Sequence, residues 1–155
     1  MRGVAYNDAE ARQQLLDTLA QATDEIGYAL ACLGAAYEQL DEYSADKLEE
    51  QLFRPVQMAY GRAKRTHSGF ADRHGLPGQA FEAQAPGLPS TGARGFIDNA
   101  VDGAGAAGGM LATLQDSPML IEVGDVELRA GLAEVRELIG PLPRQARELV
   151  RALGR

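Results

Sequence analysis

A row of apolar side chains in the first quarter of the chain constrains the fold more than any other feature. Its members recur every three or four residues: Leu15, Leu19, Ala22, Ile26, Ala29, Leu33, Ala36 and Leu40. A coil of about 3.6 residues per turn brings residues at this spacing onto one face, so the row predicts an amphipathic helix over residues 8–40. At about 1.5 Å per residue this helix is about 50 Å long. We expect Asn7 or Asp8 to cap its first turn.

A second row with the same spacing follows: Leu48, Leu52, Val56, Ala59, Ala63, His67, Phe70 and His74. It predicts a helix over residues 45–74, with Ser44 as its N-cap. Two long helices joined by a short turn favour an antiparallel hairpin. Pro55 lies inside the second helix, and proline removes a backbone hydrogen bond and clashes with the carbonyl four residues earlier. We therefore expect a kink near Pro55.

The rest of the chain predicts a long connection and three further helices. Residues 75–92 are rich in proline and glycine and are long enough to run back along the hairpin, although their order is left open. Helices are predicted over residues 93–115, 118–139 and 143–153, with a short strand over 119–123 as an alternative. The predicted fold is a single all-α domain, an antiparallel four-helix bundle with a crossover loop and a short C-terminal helix.

The segment 103–109 is unusual because four of its seven residues are glycine and the other three are alanine. Glycine is a poor helix former, so a helix here needs support from tertiary contacts. No strand precedes the segment and no lysine follows it, which argues against a phosphate-binding loop. We expect close packing against another helix, with a local break or a ligand-cradling loop as the alternatives.

Composition limits the compartments and partners that we expect. The 155 residues carry a net charge of −7, which disfavours nonspecific nucleic-acid binding, and they contain no apolar stretch of membrane-spanning length. A lone cysteine, Cys32, excludes a disulfide framework, and the N-terminus lacks an apolar signal, so we expect a cytoplasmic protein. Lysine occurs only twice beside 13 arginines, a bias typical of a GC-rich bacterial genome.

The local charge changes sign within the hairpin. Residues 1–50 contain 11 acidic and three basic side chains, whereas residues 51–74 contain five basic residues and one acidic residue. The basic stretch is expected to pair with the acidic first helix, for example with Asp17 and Asp24, with a surface for a partner protein or for nucleic acid as the alternatives.

The sequence shows no catalytic constellation and no cofactor motif, so we expect no enzyme. Cys32 lies in an apolar stretch without a nearby histidine and is expected to be a buried hydrophobe. Within the hairpin, His67 is expected near Asp17, and His74 near Glu10. These four residues are the candidate metal or ligand site, although the Glu-x-x-His pairs of ferritin-type bundles are absent.

The leading functional hypothesis is a non-enzymatic helical protein that acts through protein–protein contacts. We expect a homodimer because the first two helices are longer than the remaining helices can cover, which would expose an apolar seam. The alternative is a bundle that binds a small ligand or metal near His67 and His74. Neither nucleic acid nor a membrane is an expected partner.

Overall fold

The computed structural model describes residues 2–153, and their side chains from residue 8 onward. The described residues form an all-α bundle and contain no strand. Its helices are α1 (Arg2–Glu38), α2 (Glu42–Leu48), α3 (Arg54–Arg73), α4 (Gly92–Asp116), α5 (Pro118–Val123), α6 (Val126–Ile139) and α7 (Leu142–Leu153). This confirms the predicted fold class, although the chain divides into more helices than a simple four-helix bundle.

The apolar row of α1 lies in the core. Leu15, Ile26 and Leu33 are all buried, and α1 packs most extensively against α4. The exposed apolar seam expected on the first two helices is therefore not found on α1 from residue 8 onward, because α4 covers it. The helix begins at Arg2, so Asn7 and Asp8 lie inside it and the predicted cap is wrong.

The hairpin turn is capped by Asp41 and not by Ser44. The Asp41 carboxylate accepts a hydrogen bond from the Ser44 backbone N–H at 2.8 Å, which makes Ser44 the third residue of α2. Any Ser, Asp or Asn near the turn has the chemistry of a cap, and the position at which the helical backbone begins decides which one is used.

A π-helical turn at Glu49–Phe53 accommodates Pro55. Pro55 is the second residue of α3, and the helical path runs into it from the π-turn without a break. The wider turn also gives the proline ring room beside the preceding carbonyls. The predicted distortion near Pro55 is thus present as a wide turn, and the helical path continues through it.

The contacts of α1 with the π-turn and α3 follow the antiparallel pairing of the predicted hairpin. Gly27 lies against the Tyr60 ring and Gly34 against Phe53. The chain then crosses over through residues 74–88, which have no regular secondary structure, to a 3₁₀ turn at Pro89–Thr91. Near this turn, the Gln39 side chain donates a hydrogen bond to the Pro89 carbonyl at 2.8 Å. The crossover therefore does return to the hairpin end of the bundle.

The predicted helix over 118–139 is two helices, α5 and α6, because the helical conformation is interrupted at Gly124 and Asp125. Gly124 has an extended backbone, and the Asp125 carboxylate caps α6 by accepting from the Leu128 N–H at 2.7 Å. Residues 119–123 are helical, so the strand alternative is wrong. A strand there would have no partner strand to complete its hydrogen bonds.

The remaining helices close the core. The α6 helix packs mainly on α3, whereas α7 lies across α4 and the segment formed by α2 and the π-turn. Among residues 2–153, no helix is long and apolar enough to cross a membrane.

Candidate interaction surface

The two histidines of the predicted site lie in different environments. His67 is 2% exposed on α3, and its ring packs edge-to-face on Phe81 with 5.0 Å between centroids. Its Nδ1 atom is buried and has no hydrogen-bond partner among the described residues. Burial lowers the pKa of His67, while the charge of Asp17 acts in the opposite direction.

His74 pairs with Asp125, at the start of α6, and not with Glu10 as predicted. Its Nε2 atom lies 2.9 Å from a carboxylate oxygen of Asp125, and Arg73 donates two hydrogen bonds to the same carboxylate. Burial by itself would raise the pKa of Asp125. The hydrogen bonds from Arg73, the Leu128 N–H and His74 outweigh burial and hold that pKa well below its usual range.

The four predicted ligands therefore do not form one site. Asp17 and Glu10 are exposed on α1, and His74 is engaged by α6. No three His, Cys, Asp or Glu side chains converge on a possible metal position within the described part of the chain. Cys32 is fully buried as predicted, and burial raises the pKa of its thiol.

The basic stretch pairs with α6, and the predicted pairing with the acidic first helix is wrong. Arg62 contacts Glu134, and Arg73 contacts both Asp125 and Glu127. The reason is topological: these arginines lie on the side of α3 that α6 covers. The sequence alone does not show whether the acidic residues of α1 or those of α6 lie beside these arginines.

The glycine-rich segment is helical throughout and has two different faces. Gly103 is buried against α1, where a methyl group would lie 3.1 Å from the Glu25 carbonyl oxygen and 3.2 Å from the Tyr28 ring. This confirms close packing at one position. Gly105 and Gly109 are exposed, and a methyl group on either would meet no described atom within 4 Å.

The exposed glycines lie in a groove between α4 and the α6–α7 junction. The groove encloses about 320 Å³. Its α4 wall consists of small residues, and the opposite wall carries Arg136 and Ile139. The lining residues are Ala104, Gly105, Gly108, Gly109, Ala112, Arg136, Ile139, Gly140 and Pro143.

A second, charged pocket of about 400 Å³ continues the groove toward the start of α4, and the two share Pro143. We call the pocket and the groove together the α4 groove. Two carboxylates and three guanidinium groups line the pocket over an apolar floor. Its residues are Arg94, Asp98, Val101, Asp102, Pro143, Ala146, Arg147, Val150 and Arg151. None of these charges forms an ion pair with another described residue.

Sequence reasoning missed this surface, although a signal for it was present. The α4 residues that line the groove again recur every three or four positions: Arg94, Asp98, Val101, Gly105, Gly108 and Ala112. This spacing identifies one face of the helix. Because the face carries charged residues and glycine, no apolar row marks it as a contact surface. The large apolar side chains that are more than half exposed do not line the groove: Tyr43, Met58, Leu88, Ile121 and Val126.

No family model, no curated protein and no solved structure matches this chain.

Proposed function

We propose that this protein is a non-enzymatic helical protein that acts through protein–protein contacts, with a second copy of itself as its partner. The observation that carries the proposal is the open α4 groove, in which a methyl group on Gly105 or Gly109 would meet no described neighbour within 4 Å. The lone buried Cys32 supports a cytoplasmic location, where thiols stay reduced.

Glycine on an exposed helix surface has a cost that a partner helix would offset. Each glycine destabilises a helix by about 1 kcal/mol relative to alanine. Residues without side chains let two helix backbones approach closely, and Gly105 and Gly109 are four positions apart and so lie on one stripe. A second helix laid across this stripe would contact the backbone directly.

The charges along the groove favour a second copy as the occupant. Asp98 and Asp102 line one end together with Arg94, Arg147 and Arg151, and Arg136 lines the other, where its described partner is the neutral Gln115. In a two-fold symmetric, antiparallel pairing centred near Gly105, the Asp98 and Asp102 carboxylates of one copy lie toward Arg136 of the other. The opposite charges then meet twice, as in any isologous interface.

The test is the molar mass across a concentration series, measured by light scattering or sedimentation. A monomer has a mass of 16.5 kDa, and we expect twice that value at high concentration. Because like charges would then face each other, Asp102→Arg or Arg136→Asp alone should weaken the dimer by about tenfold or more. The double variant with both reversals should recover much of the lost affinity.

Matched controls separate a local contact from a change in net charge. Asp72→Arg and Arg129→Asp make the same reversals at exposed positions outside the groove, and neither should change the dissociation constant. A mass that stays at 16.5 kDa at high concentration rejects self-association. A dimer that is indifferent to the groove reversals assigns it to another surface.

A further inference from the structure

His67 occupies an unusual position for a titratable side chain. It is 2% exposed, and three of its neighbours one turn away on α3, Ala63, Phe70 and Ala71, are buried and apolar. The Nδ1 atom has no partner among the described residues. Burial in apolar surroundings disfavours a positive charge on the imidazole. The protonated ring would also carry an N–H group at Nδ1 that has no acceptor among the described residues.

The crossover residues 76–88, which we call the strap, cover this histidine. The Phe81 ring packs on the imidazole, and a methyl group placed on Gly78 would lie 3.8 Å from His67 Cε1. The strap is attached by hydrogen bonds near its two ends, from the Leu76 N–H to the Ala71 carbonyl and from Gln39 to the Pro89 carbonyl. Between residues 77 and 87, no hydrogen bond to a described helix supports it. The middle of the strap is therefore attached by packing, which includes the contacts of Phe81 and Gly78 with His67.

Few charges surround the ring. Asp17 on α1 is exposed, and Lys64 on α3 lies over the Tyr60 ring. The charged residue of the strap itself is Glu82, which is also exposed. No charge among the described residues contacts the imidazole, so solvent is where its protonated form is best stabilised.

We propose that the strap is a pH-sensitive latch: protonation of His67 releases residues 76–88 from α3 while the helices remain folded. The released state exposes the His67 ring to water and removes the cover that Phe81 provides. This inference is independent of the proposed self-association.

The direction of the pH dependence follows from burial. Burial lowers the pKa of His67 from its ordinary value of 6.5, and the attached strap binds the neutral ring. The latch is therefore fully closed above pH 6.5 and loses stability as the pH falls toward the lowered pKa. Asp17 opposes this shift and reduces its size.

The chain contains no tryptophan, so Phe81→Trp introduces a single reporter at the contact. We expect its emission to shift to longer wavelength as the pH falls from about 7.5 to about 5, across the histidine range, while the helical circular dichroism stays constant. His67→Leu in the Phe81→Trp background should abolish the shift. His74→Gln in the same background alters the other histidine and should leave the shift in place.

Proteolysis of the unmodified protein gives a second measurement, should the larger tryptophan ring disturb the packing. Cleavage after Glu82 by a glutamyl endopeptidase, normalised to a short peptide substrate at each pH, should rise several-fold from about pH 7.5 to about pH 5. The rise should be absent in His67→Leu. A normalised rate that does not rise, a rise that persists in His67→Leu, or a simultaneous loss of helicity would overturn the proposal.

Discussion

The seam between α3 and α6 and the α4 groove use the same residue type in opposite ways. In the seam, Gly131 leaves just enough room for the Thr66 side chain, and ion pairs flank the contact. In the groove, Gly105 and Gly109 leave a space that no described residue fills. The comparison shows that a glycine pattern indicates where backbones are accessible, whereas only the neighbouring element shows whether that access is used.

The largest expected effect comes from adding a methyl group in the seam between α3 and α6, where the glycine is closely packed. In Gly131→Ala, the new methyl group would overlap the Thr66 side chain, which is short, β-branched and held by a hydrogen bond to the Arg62 carbonyl. We expect a loss of about 3 kcal/mol in the free energy of unfolding, measured by chemical denaturation. Thr66→Ala in the same background should recover part of this loss because it removes the overlapping atoms. A Gly131→Ala protein as stable as the parent would show that the seam is not tightly packed.

An intermediate effect is expected at Asp125, which ties α6 to α3 by charge. Asp125→Ala removes the cap of α6 and the partner of Arg73, each worth about 1 kcal/mol, so we expect a loss of about 2 kcal/mol at neutral pH. The pKa of Asp125 is lowered in the folded protein, so its contribution is present above the ordinary carboxyl pKa of 3.8 and is lost as the pH falls below that value. The stability difference between parent and variant should therefore shrink in acid. A difference that stays constant from neutral to acidic pH would contradict the role of the charge.

The smallest effect is expected in the open α4 groove, where the substitutions should raise the free energy of unfolding and not lower it. Gly105→Ala and Gly109→Ala meet no neighbour, so each should stabilise the monomer by up to about 1 kcal/mol through helix propensity. Gly103→Ala is the matched control on the buried face of α4, where tight contacts with Glu25 and Tyr28 should cancel or reverse the gain. The stabilities of the three variants are compared by chemical denaturation at a protein concentration low enough for the proposed dimer to dissociate completely. Equal effects at all three positions would remove the distinction between the two faces.

The elements that the sequence predicts best are those with a local physical signature. The apolar row of α1 required a helix with a buried face, and the spacing of Val56, Ala59 and Ala63 did the same for α3. Pro55 indicated a distortion because its missing N–H removes a hydrogen bond from the adjacent helical backbone. Gly75 and Pro77 likewise marked the end of α3, which the structure places at Arg73.

The predictions of side-chain pairing failed because they depended on contacts between distant segments. Glu10 and Asp125 are both carboxylates that a histidine at the end of α3 can use, and the choice between them depends on how α6 docks. The division of the fourth predicted helix depended on Asp125 serving as a cap, which competes with continuing the helix through Gly124. The α4 groove escaped prediction because its face mixes charges with glycine, so no hydrophobic period marks it.

The π-helical turn at Glu49–Phe53 has a consequence for how this chain tolerates changes in length. A wide turn holds about one residue more than an α-helical turn, so it absorbs one extra residue without changing the angular position of α2. Leu48 and Leu52 are buried, as is Val56 after the turn. Deleting one residue within the turn would therefore leave a regular helical turn with Leu48 still facing the core. The same deletion within α3 would rotate everything before it by about 100°.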